Sequence, residues 1–220
     1  MTEAELIALL RGSEAGKQRI GDDCAVLPLN ERESYLITKD MLVEDVHFRR
    51  SYFTPEELAH KALHVNLSDI AAMGGEAHYV LLGLAIPQSY KTNAESLACS
   101  FASACQRVGV QLVGGDTVGS PDRLILSITV IGKAGKSQVK YRKGARTGDI
   151  ICVAGRLGDA SLGLAILETM RLERGATTKI VAKHIQYTTA LKKPKALCHE
   201  GNWLGALPGV TAMMDVSDGL

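Results

Sequence analysis

Between Thr54 and Gly75 the chain has room for one kind of local structure. Thr54 is suited to cap a helix, Pro55 fits the first helical position because its missing N–H is not needed there, and Glu57 closes a capping box. Leu58, Ala62, Leu63, Val65, Ile70 and Met73 then recur at helical spacing until Gly74 and Gly75 end the run. Inside this apolar pattern stands Asp69. A buried, unpaired carboxylate costs several kcal/mol or else takes up a proton. A helix that packs on a core and still carries Asp69 is therefore expected to present it to a cation.

The flanking sequence predicts a sheet for that helix to cover. A helix over residues 2–11 leads to two apolar stretches, 20–29 and 35–38, separated by a polar turn at 30–34. After the central helix come a strand at 78–86, stopped by Pro87, and an amphipathic helix at 93–108 with Leu97, Phe101, Ala104 and Val108 on one side. Strands at 110–114 and 123–132 follow. This order predicts an α+β fold, an N-terminal mixed sheet with helices on one face. Residues 1–135 read as that domain and 136–148, basic and glycine-containing, as a linker.

Residues 149–220 read as the first part of a second, incomplete α/β domain. It comprises a buried strand at 150–154, a helix capped by Asp159, a polar turn at 170–179, two helices before Gly201 and a strand at 210–214. A strand that runs into a carboxylate loop ordinarily feeds another element, so a truncated domain is expected.

Composition excludes several classes of function. With 46% hydrophobic and 22% charged residues the chain is ordinary for a soluble globular protein. A formal net charge of +1 gives no basic footprint for nucleic acid. No apolar stretch approaches the roughly 18 residues of a membrane span, so a cytoplasmic location is expected. The 5 cysteines contain no Cys-x-x-Cys pair and read as reduced core residues. His60 and His64 have the spacing of a metal pair but lack the accompanying Glu and a third ligand, which favours a structural role. Gly155 to Gly158 does not have the spacing of a dinucleotide fingerprint, and neither a P-loop nor a His-Arg-Asp kinase signature is present.

What remains is a series of acidic positions where an apolar run ends or a helix carries a polar break. These are Asp22 and Asp23 after Gly21, Asp40 after Lys39, Asp69, Asp116 after Gly114 and Gly115, and Asp215 and Asp218 near the end of the chain. Gathered carboxylates repel one another unless cations lie between them, and hard oxygen ligands suit Mg²⁺ carrying phosphate. Asp22 and Asp23 have a plainer reading as turn residues bonded to their own backbone. Gly114 and Gly115 would let the backbone approach a ligand closely. The series as a whole points to a metal-dependent phosphate enzyme.

The segments 20–25, 38–48, 61–74, 114–117 and 215–220 together resemble the thiamine-monophosphate kinase family, a branch of the superfamily that contains aminoimidazole-ribonucleotide synthetase and selenophosphate synthetase. The resemblance implies transfer of the γ-phosphate of ATP to thiamine monophosphate by direct in-line attack. It also implies a homodimer joined through the N-terminal sheets. On the matching positions, Asp23, Asp40, Asp69, Asp116, Asp215 and Asp218 would hold several Mg²⁺ ions, with Thr38 and Lys39 adding oxygen ligands. Gly115, Asp116, Arg142 and Ser217 would contact ATP, and His47 would meet the substrate.

Two departures stand out. Lys39 replaces the Ser or Thr more usual in the family, so either its ammonium enters the cluster or only its carbonyl serves. The family's C-terminal substrate loop and aromatic residue are not found in the sequence. A non-catalytic dimeric Mg-ATP-binding fragment, or a superfamily enzyme acting on another phosphorylated substrate, are the alternatives this leaves.

Overall fold

A computed structural model describes residues 1–13, 20–172 and 183–217. Helix α1 (Glu3–Gly12) opens on a capping box between Thr2 and Glu5. Strands β1 (Ala25–Pro28) and β2 (Glu33–Val43) pair antiparallel. Their turn is set by Asn30, whose Oδ1 accepts from the backbone N–H of Arg32 and Glu33, each at 2.8 Å. Helix α2 (Pro55–Ala72) begins as its sequence requires, with Thr54 and Glu57 exchanging both capping bonds. Strand β3 (Glu76–Pro87), helix α3 (Lys91–Val108) and strands β4 (Gln111–Ser120) and β5 (Ile125–Gly135) complete the N-terminal half.

The strands form one sheet in the order β1-β2-β5-β3-β4, antiparallel except for the β3–β4 pair. Register divides its faces. Leu36 and Leu42 of β2, Leu126, Ile128 and Val130 of β5 and Val80 and Leu84 of β3 are buried with Leu58, Leu63, Leu67 and Ile70 of α2 and Leu97 and Phe101 of α3. The alternate positions, among them Tyr35, Met41 and Tyr79, are exposed. Helices thus cover one face of a mixed sheet, as the element order predicted.

Several boundaries differ from expectation for physical reasons. Residues 21–24 are a bend, so the first strand is shorter than 20–29. Strand β4 runs on through Gly114 to Asp116 to reach Ser120, because the long β3 supplies parallel partners up to Pro87. Val108 is 37% exposed and Cys105 takes the inward position on α3. Only Cys24 and Cys105 are buried; Cys99, Cys152 and Cys198 are exposed, which corrects the reading of all the cysteines as core.

The C-terminal stretch supplies helices α4 (Asp159–Leu172), α5 (Ile185–Lys192) and α6 (Cys198–Ala206). Helix α5 packs on α4, and α6 on the end of α2, where Gly205 lies so near Gly74 that a side chain on either would collide. Residues 150–154 and 210–214, predicted as strands, are not strands. Ile150 and Ile151 are 88% and 91% exposed. A strand exists only through its neighbour's hydrogen bonds, and no described strand lies beside either segment. The predicted turn at 170–179 falls mostly outside the described residues. Among those described, no helix is long and apolar enough to cross a membrane.

Candidate metal and phosphate site

A polar seam interrupts the apolar packing of α2 on β2. Thr38 Oγ1 donates to Asp69 Oδ2 at 2.5 Å, and Asn66 Oδ1 accepts from the Asp40 backbone N–H at 3.1 Å. Asn66 is fully buried and donates through Nδ2 to Ala62 O at 3.0 Å. Sequence reasoning passed over Asn66. Its signal was position, three residues before Asp69 and so on the same helix face.

Two further acidic residues reach this seam from outside it. Asp23, in the bend before β1, has a side chain only 2% exposed, and Asp215 comes from the extended segment after α6. Carboxylate oxygens of Asp23, Asp69 and Asp215 all lie within 4.8 Å of one another. Two unit charges about 4 Å apart repel by about 4 kcal/mol at an effective dielectric of about 20. That exceeds the roughly 1.5–3 kcal/mol gained from one charged hydrogen bond, so the bond from Thr38 does not offset the crowding.

The consequences are visible in the acids themselves. Asp69 is pushed up to about 8, first by burial and then by Asp40, Asp215 and Asp23, with the Thr38 bond pulling the other way. Asp215 rises to about 6 through burial and the Asp23 charge beside it. The thiol of Cys24 is raised as well, chiefly by burial.

One cation already stands here. Arg142 Nη2 pairs with Asp23 Oδ1, while the Arg142 backbone N–H donates to Asp22 Oδ1 at 2.8 Å. Asp22 therefore ties the bend before β1 to the loop at Arg142, a distant contact rather than the bond to its own backbone that its turn reading expected. The other oxygen of Asp23 is buried without a hydrogen-bond partner. An orphaned carboxylate oxygen amid mutually repelling acids fits a hard divalent cation. The pocket around it, of about 470 Å³, is lined by Thr38, Lys39, Asp40, Arg142 and Ser217 as well as the three clustered acids.

Other expected members lie elsewhere. Lys39 Nζ donates to Ser127 Oγ at 2.6 Å on the uncovered face of the sheet, so its ammonium points away from the acids and only the rest of the residue borders the pocket. Asp116 is exposed on β4 and accepts from the Thr117 N–H at 2.8 Å. It sits three strands from β2, about 14 Å at the usual strand spacing. Gly115 has φ 155°, and a Cβ there would run into the Leu82 carbonyl, so the close approach it permits within this chain is between strands.

His47 is exposed in the turn after β2, where its Nδ1 accepts from the Val43 N–H at 3.0 Å, and it does not line the pocket. That turn is pinned by Asp45, at φ 65°, which ion-pairs with Arg49 and Arg123. Asp218 lies outside the described residues. His60 and His64 stack with centroids 4.0 Å apart and bond Pro194 O and the Ala196 N–H, which is the structural role expected of them.

Residues 21–134 match the model of the AIR synthase related protein, N-terminal domain. The chain is 34% identical to thiamine-monophosphate kinase of Bacillus subtilis over 91% of its own length and 61% of the relative's. The solved complex of AaThiL with AMPPCP and TMP superposes with a TM-score of 0.87 at 30% identity, covering 99% of this chain and 66% of that one. Thiamine-monophosphate kinase from Stenotrophomonas maltophilia superposes at 0.74 with 32% identity, covering 100% of this chain and 69% of that one. The chain thus spans about three-fifths of the length of the curated relatives it matches.

Proposed function

Since the chain belongs to the AIR synthase related family, within its thiamine-monophosphate kinase branch, we propose that it transfers the γ-phosphate of ATP to thiamine monophosphate, giving thiamine diphosphate and ADP. The observation that carries this reading is the convergence of Asp23, Asp69 and Asp215, with Thr38, Asp40, Arg142 and Ser217, on one pocket. Joining a phosphate monoester to a triphosphate brings two polyanions together, so the barrier is chiefly electrostatic. Asp23, Asp40, Asp69 and Asp215, with oxygens of Thr38 and Lys39, would hold Mg²⁺, which when bound supplies positive charge shared between the phosphates.

The chain's own residues have separate tasks in this scheme. The α2–β2 seam fixes the acids, because Thr38 and Asn66 tie sheet to helix. Arg142, with a side chain 45% exposed, and exposed Ser217 would meet nucleotide phosphate from the solvent side. The acceptor's phosphate oxygen is already largely ionised near neutral pH, so direct in-line transfer needs no general base. The uncovered sheet face, with exposed Tyr35, Met41, Tyr79 and Val118, supports a homodimer, in which Gly115, Asp116 and His47 would serve from beyond this pocket. A cytoplasmic location follows from the need for ATP.

ADP release coupled to a reporter, with thiamine monophosphate as acceptor, tests the proposal directly beside calorimetric titration with Mg-ATP. Mg²⁺-dependent release is expected. Binding without turnover would instead favour a dimeric Mg-ATP-binding module. That second reading draws support from segments 150–154 and 210–214, which pair with no described strand.

A further inference from the structure

We infer that Arg142 is the pocket's resident cation: its guanidinium holds Asp23 while no divalent ion is bound and is released toward incoming phosphate when such an ion takes that carboxylate, so that cation binding primes nucleotide binding. This rests on the reading above, in which the pocket takes Mg²⁺ and nucleotide phosphate.

Four observations carry it. Asp23 is buried with one oxygen paired to Arg142 and the other without a partner. Oxygens of Asp69 and Asp215 lie within 4.8 Å of an Asp23 oxygen, so the carboxylate held by the guanidinium belongs to the group a dication would bridge. One guanidinium paired with Asp23 alone leaves Asp69 and Asp215 without a cation of their own, which favours a dication over the arginine at the clustered oxygens. Arg142 itself is anchored at its base and reached by solvent along its side chain: Asp22 Oδ1 accepts its backbone N–H at 2.8 Å, and the side chain is 45% exposed. Released, the planar fork of the guanidinium is well matched to phosphate oxygens.

The test uses the whole chain and Mg²⁺ alone as first probe. In calorimetry, Arg142→Gln is expected to bind Mg²⁺ on the order of tenfold more tightly, because no charge-assisted hydrogen bond has to be broken first. The same variant is expected to bind the ATP analogue AMPPCP on the order of tenfold more weakly at saturating Mg²⁺. Lys143→Gln removes an adjacent charge whose Nζ lies over the Tyr141 ring, and it is expected to change neither affinity. In the wild type, the Nε–Hε resonance of Arg142, assigned by its loss in Arg142→Gln, should shift on adding Mg²⁺ with the midpoint of binding.

Mg²⁺ binding that leaves this resonance in place, with Arg142→Gln no tighter than wild type, overturns the inference while the metal-site reading survives. An equal tightening in Lys143→Gln also overturns it, since general charge would then account for the effect. A wild-type chain that takes up no Mg²⁺ removes both readings together.

Discussion

Asp69 is held in a place where its charge is opposed from every side, and that makes its replacement informative. Asn at this position keeps an oxygen to accept from Thr38 Oγ1, which now reaches Asp69 Oδ2 at 2.5 Å. It also needs no proton to sit beside Asp23 and Asp215, whereas Asp69, pushed up to about 8, must take one up near neutral pH. In EDTA, Asp69→Asn is therefore expected to be more stable than wild type by roughly 1–2 kcal/mol, a fraction of the pairwise repulsion. With Mg²⁺ at about a hundred times its Kd the wild type should gain about 2.7 kcal/mol, and the variant little or nothing. Thermal melts with and without the ion check both signs. A variant that melts lower in EDTA and gains as much from Mg²⁺ as wild type would mean that Asp69 is a structural acid. The same logic settles the position of Lys39: a side chain bonded to Ser127 on the far face adds no charge to the cluster.

Helix α2 packs on the sheet, on α3 and on α6, and it also meets residues 194–196, a contact that carries a pH dependence. His64 Nδ1 accepts from the Ala196 N–H at 3.2 Å, so a proton on that nitrogen would set donor against donor. Burial, then the charges of His60 and Arg107, hold His64 down to about 4. An unfolded chain would protonate this group near 6.5, and so binds more protons than the folded one between the two values. Stability from this source is present above about pH 6.5 and is lost as pH falls toward about 4. His64→Asn keeps an acceptor and cannot titrate, so its melting temperature should fall less than the wild type's between pH 7 and pH 4.5. Equal slopes would refute the assignment. At the start of the same helix, Thr54→Ala should cost about 1 kcal/mol in denaturant unfolding by removing the capping box. A loss within error would mean that the box contributes nothing once α2 is packed. Helix α2 was legible to the residue because caps, glycines and apolar spacing all act locally. Strand β4 was half missed, since Gly114, Gly115 and Asp116 have poor strand propensity and enter the sheet only because β3 lies beside them. Residues 150–154 failed in the opposite direction, having strand composition but no described partner strand. The acids of the cluster could be found one by one, but not the Asp23–Arg142 pair or Asn66, which depend on which segments meet in space.

Among the described residues the sheet has one face packed under α2 and α3 and the other uncovered, and that asymmetry decides what Asp116 can do. Register sets Asp116 beside Gly83, Gly83 beside Ser127 and Ser127 beside Met41, so all four share a face that also carries exposed Tyr79 and Val118. Some 14 Å of sheet separates Asp116 from β2, farther than a carboxylate side chain can reach. Any part Asp116 plays in the pocket must come through a second copy of the chain laid against this face. Sedimentation velocity is expected to find a dimer, and Met41→Glu with Val118→Glu should weaken it by at least roughly a hundredfold, since each charge would be buried unpaired. Far-UV circular dichroism should stay unchanged, because both side chains point away from the core. Asp116→Ala should then weaken Mg-ATP binding in the dimer and have no further effect in the monomeric background. An equal loss in both backgrounds would mean that Asp116 acts within its own chain, and no loss in either would remove it from the site.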